Sequence, residues 1–265
     1  MRTFYYVHTG HRIGLDRFRR AATIIRALED TDITLLCSDF RIAQIARDFG
    51  VEKSVGIDVV RNIPQISHHG DRLIFDSDEA NPIMLEDMKS YFSTFIHIKN
   101  SEVVIDESYF KNYEKTIKLT YFFGDDDYEK DLEKNLDFLG ALEPDLQLGF
   151  YYFLDYEDML KEKFENYHEF EEYEEMIQKT DILITASPQA ILESLASGGR
   201  PIYVKREDYS DDFDELFTSL NIPIINNYNK NELTVILKTI NNRKYENIEN
   251  ISNKITKLIK ENLNL

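Results

Sequence analysis

The hydrophobic positions change period in a regular way along the chain. Residues 3–7 form a short β-prone run, and a loop containing Gly10 and Gly14 follows. From about Asp16 the apolar positions fall at Phe18, Ala21, Ala22, Ile25 and Leu28, the spacing of one helix face. The pattern then predicts strands at 33–37, 54–57, 73–75 and 94–98, a helix over 42–49 that Gly50 stops, and a helix around 83–91. A second series starts near residue 116. Its strands are expected at 117–123, 147–153, 181–186, 201–204 and 222–225. Helices are expected from Gly124-Asp125-Asp126-Asp127 to about Leu139, over most of 159–179, over 188–197 and over 211–220. A last apolar stripe carries Ile248, Ile251, Ile255, Leu258 and Ile259. Strands that alternate with helical stretches imply βαβ crossovers and parallel sheets. The soft break near 100–116 divides the chain into an N-terminal domain, 1–112, and a C-terminal domain, 113–265.

At 265 residues, with 42% apolar and 30% charged positions, the chain suits two compact globular domains. The net charge of −18 changes the picture because it is concentrated: 101–180 holds 8 Lys and Arg against 23 Asp and Glu, whereas 1–100 holds 13 against 14. Such a chain repels a phosphate backbone, so nucleic acid is not an expected partner. The acidic, Tyr-rich segment 155–176 reads as a solvated helix face, with a protein partner as the other reading. The N-terminal arginines Arg12, Arg17, Arg19, Arg20 and Arg26 suit a small phosphorylated ligand. The single Cys37 lies in an apolar run and reads as a core residue. No stretch approaches the ~18–20 apolar residues of a membrane span. The start shows no signal-peptide pattern, and the cytoplasm is the expected location. No Cys/His pair has zinc-ligand spacing. The acids Asp125, Asp126 and Asp127 read as helix-capping groups, so neither a metal nor a cofactor is expected.

Two constellations carry candidate chemistry. The first is the strand–loop–helix Tyr5-Tyr6-Val7-His8-Thr9-Gly10-His11-Arg12-Ile13-Gly14-Leu15-Asp16-Arg17. Its glycines permit a sharp turn, and its histidines and arginines stand where a parallel sheet places ligands. It matches neither the dinucleotide fingerprint nor a P-loop. The second runs from Asp181 to Pro201, where a buried strand ends in Thr-Ala-Ser187-Pro188-Gln189, a helix carries Glu193, and Gly198-Gly199-Arg200-Pro201 leads to the next strand.

This second stretch resembles the nucleotide-binding segment of glycosyltransferases with two Rossmann-like domains, the GT-B type. The order of motifs is most similar to the UDP-sugar hydrolase family of pseudaminic acid biosynthesis. Ile13-Gly14-Leu15-Asp16-Arg17 stands in the place of that family's N-terminal motif, Phe123-Gly124-Asp125-Asp126 in that of its second-domain loop, and Ser187 to Glu193 in that of its later helix. The resemblance implies two Rossmann-like parallel-sheet domains facing a cleft, and a UDP-type nucleotide sugar held by Gly14, Arg17, Gly124, Asp125, Ser187, Gln189 and Glu193. The family's catalytic histidine falls on Arg17, and a guanidinium stays protonated. His11 and Asp16 are then the candidate catalytic groups. The reaction implied is hydrolysis or transfer at the anomeric carbon. A non-catalytic relative that binds a ligand or a protein is the alternative.

Overall fold

The computed structural model describes residues 1–28 and 31–263. It divides into two compact units. The first takes Met1–Val104 and, from the C-terminus, the chain from Ser252 on; the second is Ile105–Ile251. The first boundary thus falls a few residues before the expected one. The terminal helix Lys254–Leu263 returns to the first unit, although the sequence placed it in the second. Its buried residues Ile255, Ile259 and Leu263 pack beside the strand Thr94–His97, and Asn253 N–H donates to the Val103 carbonyl at 3.0 Å.

The first unit has five parallel strands, β1 (Thr3–Val7), β2 (Ile33–Cys37), β3 (Ser54–Gly56), β4 (Arg72–Asp76) and β5 (Thr94–His97), in the order β3-β2-β1-β4-β5. Phe4 and Tyr6 of β1 alternate onto one face, where Leu36, Leu73, Phe75 and Met88 join them in a core. Cys37 is buried in β2, and burial pushes its thiol up to about 12.

The helix Asp16–Ala27 buries Phe18, Ala21, Ala22 and Ile25 as its period requires, but it also buries Arg19 and Arg20. The N-terminal arginines are therefore not one patch. Arg20 turns inward, where Nε and Nη2 meet the two carboxylate oxygens of Asp76, and Nη1 donates to the Asn100 carbonyl at 2.7 Å. Tyr5 completes the group, its hydroxyl donating to Asp76 at 3.0 Å. Arg26 reaches the Phe49 carbonyl at 2.6 Å, and Arg17 turns to Asp78. Adjacent residues on a helix are turned about 100° from one another and residues six apart about 120°, so Arg19 diverges from Arg20, and Arg20 from Arg26.

The second unit has six parallel strands, β6 (Ile117–Phe122), β7 (Asp145–Gln147), β8 (Tyr167–His168), β9 (Thr180–Thr185), β10 (Arg200–Lys205) and β11 (Ile224–Asn226). Their order is β11-β10-β9-β6-β7-β8. Three expectations change here. The acidic stretch is not mostly one helix: Leu154–Lys163 is helical, then β8 intervenes, then Tyr173–Lys179 is helical again. The N–H groups of Leu146 and Leu148 need partners, and the carbonyls of Asn166 and His168 supply them. His168 is thus a strand residue, Nε2 lying 3.2 Å from Asp145. The strand expected over 147–153 ends at Gln147, because the chain bends at Gly149 to lie against the Gly124 loop. Nor does a helix begin at Asp125. Asp127 instead accepts the N–H groups of Asp131 (2.7 Å) and Leu132 (3.0 Å), capping a helix of only Asp131–Lys134. One helix not anticipated, Lys230–Thr239, is capped by Asn229 and buries Leu233 and Ile236. Among the described residues no helix is long and apolar enough to cross a membrane.

The Arg20–Asp76 pair makes a direct prediction. Arg20→Met leaves the Asp76 carboxylate buried without its cation and should cost about 3–5 kcal/mol in urea unfolding. Adding Asp76→Leu to that variant should recover much of the loss.

Candidate functional site

In an open parallel sheet, ligands collect outside the carboxyl ends of the strands where the strand order reverses, since the loops there diverge to opposite faces. Each unit has one such point. In the first it lies between β1 and β4, and in the second between β6 and β9.

At the first point the chain leaves β1 through His8 and Thr9. Thr9 is tied to the end of β2: its N–H donates to Ser38 Oγ, whose hydroxyl donates back to the Thr9 carbonyl, both at 2.8 Å. The loop then closes on itself. Ile13 and Gly14 N–H groups donate to the Gly10 carbonyl at 3.1 and 3.0 Å, with Gly10 at φ +145° and Gly14 at φ +73°. These backbone angles are why glycine stands at both positions. Asp16 is the first residue of the following helix; the N-cap is Leu15, without a side-chain cap. His11 and Asp16 are both half-buried in this loop region.

The chain leaves β4 through Asp76-Ser77-Asp78-Glu79, and here the structure brings together groups that the sequence did not. Arg17 pairs with Asp78 and donates to Asn100 Oδ1 at 3.3 Å. Glu79 accepts the hydroxyls of Tyr6 and, at 3.1 Å, Ser77. Its carboxylate lies 3.8 Å from His8 Nδ1, each side chain being 23% exposed. That is an ion-pair distance and too long for a hydrogen bond. Burial holds the His8 imidazole below its ordinary value; Glu79 opposes that shift and Arg17 reinforces it. His8 is therefore a partly accessible imidazole that burial shifts toward its neutral form, with a carboxylate beside Nδ1, an arrangement suited to a general base. His8 follows a strand and Glu79 stands 71 positions on, so no local pattern joins them.

At the second point, Gly124 (φ +133°) leads from β6 into Asp125, Asp126 and Asp127, all buried. A β-carbon at position 149 would lie 2.4 Å from the Gly124 carbonyl oxygen. Glycine at 149 therefore lets a distant stretch of chain lie directly against this loop. Opposite it, β9 ends in Thr185, Ala186 and Ser187. Ser187 caps the helix Pro188–Ala196, its Oγ accepting from Ala190 N–H at 3.1 Å, and its own N–H donates to Thr185 Oγ1 at 3.0 Å. Gln189 and Glu193, one turn apart, are joined by a hydrogen bond from Gln189 Nε2 at 2.8 Å. The other Glu193 oxygen accepts the Tyr173 hydroxyl at 2.6 Å. Glu193 is only 2% exposed, so two donors orient a carboxylate that is almost wholly inside. Such a group is an acceptor suited to paired hydroxyls. The structure thus gathers Gly124, Asp125, Ser187, Gln189 and Glu193 around one strand reversal of the second unit, and His11, Gly14, Asp16 and Arg17 around that of the first.

No protein-family model matches the sequence, and no curated protein matches it. Solved structures do match. The UDP-GlcNAc 2-epimerase of Methanocaldococcus jannaschii, in complex with UDP-GlcNAc and UDP, is 12% identical over all of this chain and 99% of that one, with a TM-score of 0.64. The spinosyn rhamnosyltransferase SpnG complexed with thymidine diphosphate is 9% identical over 92% of each chain, with a TM-score of 0.52. The glycosyltransferase SnogD from Streptomyces nogalater is 11% identical over 92% of this chain and 96% of that one, with a TM-score of 0.51. At these identities the likeness speaks for the fold, and that fold is the GT-B type, built of two Rossmann-like parallel-sheet units.

Proposed function

We propose that the chain is a nucleotide-sugar enzyme that acts at the anomeric carbon of a UDP-type sugar, by hydrolysis or by transfer. The observation that carries this reading is the Glu193 carboxylate, buried one turn beyond the Ser187-capped helix start and oriented by Tyr173 and Gln189. In this reading Glu193 accepts the ribose hydroxyls. The diphosphate lies against the helix start at Ser187 and the glycine turn at Gly124, where backbone N–H groups and the helix dipole favour an anion. Two fold neighbours, an epimerase bound to UDP-GlcNAc and UDP and a rhamnosyltransferase bound to thymidine diphosphate, support the same ligand class.

The first unit supplies the proton chemistry. Of the three candidate groups in the β1 loop region, His8, His11 and Asp16, we assign the base to His8, because it has a carboxylate behind Nδ1. Nε2 takes a proton from water or from an acceptor hydroxyl as that oxygen bonds to the anomeric carbon. The bond from that carbon to the phosphate oxygen breaks, and its electron pair leaves with the nucleoside diphosphate. Glu79 stabilises the imidazolium that results. Arg17, always charged, has no part as a base; it holds Asp78 and, with it, the loop after β4. In this reading His11 and Asp16, in the same loop region, meet the sugar or its acceptor.

Calorimetric titration with UDP, and with GDP, CMP and TDP as controls, tests the ligand class. Selective UDP binding that weakens at least tenfold, about 1.4 kcal/mol, in Glu193→Ala is expected; equal binding of all four, or none, would overturn the assignment. The base is tested by its pH profile. Because the imidazole loses its proton below the ordinary value of about 6.5, kcat/KM should rise with pH and level off from a midpoint under that value. Glu79→Gln removes a charge that favours the protonated ring and should move the midpoint lower still. His8→Asn should reduce turnover by about 10²–10⁴-fold. Turnover that survives in His8→Asn would remove the base from this position.

A further inference from the structure

Arg206 immediately follows β10 and is 4% exposed. Its guanidinium lies between the rings of Phe123 and Tyr209, 4.5 Å from each centroid. Nη1 donates to the Asp126 carbonyl at 2.7 Å. In the sheet β9 stands between β10 and β6, so this bond reaches past the carboxyl end of β9 and across the strand reversal. The nearest atoms that a side chain at Gly124 would meet are Arg206 Nη1 at 3.7 Å and the Tyr209 hydroxyl at 3.9 Å. The cation therefore borders the glycine turn.

The rest of the fork is taken by one carboxylate. Nε donates to Asp208 Oδ1 at 2.9 Å and Nη2 to Oδ2 at 2.6 Å. This two-point grip is the same one that a guanidinium applies to a phosphate. The two acids near Arg206 are not equivalent. Asp126 is 1% exposed, with Oδ2 4.0 Å from Nη2, and it belongs to the interior. The Asp208 side chain is 46% exposed, on the segment that joins β10 to the helix Asp214–Ser219. A carboxylate so open to water is released at low cost, because solvent takes over its hydrogen bonds. Removal of an interior partner would instead strand a buried charge.

The geometry points to Arg206 as the anion-binding residue of the second unit, its fork occupied by Asp208 until the phosphate of a nucleoside diphosphate displaces that carboxylate. The inference rests on the nucleotide reading of this unit and adds to it a competitor carried by the chain itself. The segment is anchored beside Asp208 by Lys205, which pairs with Asp211, Oδ1 lying 2.7 Å from Nζ, and with Asp214 at the start of the helix.

The experiment is calorimetric titration of the full chain and of Asp208→Asn with UDP, uridine and inorganic pyrophosphate. Asn keeps the shape and loses the charge; Asp208→Ser gives the same readout should the Asn variant fold poorly. The expected result is UDP and pyrophosphate affinity about tenfold tighter in Asp208→Asn, with uridine unchanged. Arg206→Lys added to Asp208→Asn should erase the gain, because a point charge lacks the fork. Unchanged or weaker UDP affinity in Asp208→Asn, in a protein whose UDP binding still depends on Glu193, would overturn the inference and leave the nucleotide reading standing. Tighter pyrophosphate without any preference for UDP would support the anion position and count against the nucleotide. Absence of binding in every variant would overturn both.

Discussion

A parallel strand is reached only by a crossover, and the crossover is right-handed, so the face on which a helix lies follows from the direction in which the next strand is added. Each sheet of this protein changes that direction once. After β3 the chain passes back beyond β1 to β4, and after β8 it passes back beyond β6 to β9. The loops leaving the paired strands then part to opposite faces, and the strand ends between them are left without a cover of their own. Several of the polar groups that this molecule buries lie there: Tyr5, Arg20 and Asp76 at the first reversal, and Asp126, Ser187, Gln189 and Glu193 at the second. Candidate chemistry and architecture share one cause.

Charge is handled in two ways at these points. Arg20 and Asp76 are both inside, with the guanidinium 3% and the carboxylate 1% exposed, so neither is released without stranding the other. The pair is a fixed brace that ties the helix Asp16–Ala27 to the end of β4 and to the carbonyls of 99–102. Arg206 is equally buried, yet its bidentate partner stands half in water. In a chain with a net charge of −18, Arg20 is thus permanently matched in the interior, and Arg206 is matched by a carboxylate that solvent is able to take back.

Much of the fold was legible. Strand and helix periods placed β1, β2, β9 and β10 within a residue or so, because each is a buried strand bounded by turn residues. The segment from Ser187 to Glu193 was legible as a capped helix for the same reason. Its cap, its proline and its acid are close in sequence, and a helix of known pitch sets their relation. Boundaries slipped where backbone pairing overrode pattern. Tyr167 and His168 carry a helical text, but they pair with β7 because its open edge had N–H groups to satisfy.

What the sequence determined by itself was whatever neighbouring residues decide among themselves: the alternation of strands and helices, the glycine turn between Gly10 and Gly14, the helix start at Ser187. What only the tertiary structure decided was which distant residues meet. Glu79 behind His8, Gly149 under Gly124, Arg20 in the core and Arg206 across the end of β9 have no signature in local spacing. Each depends on the order of strands in a sheet. That order is set by which buried faces fit together after the crossovers form, and the energy of such a fit is spread over the whole core rather than carried by any stretch of sequence.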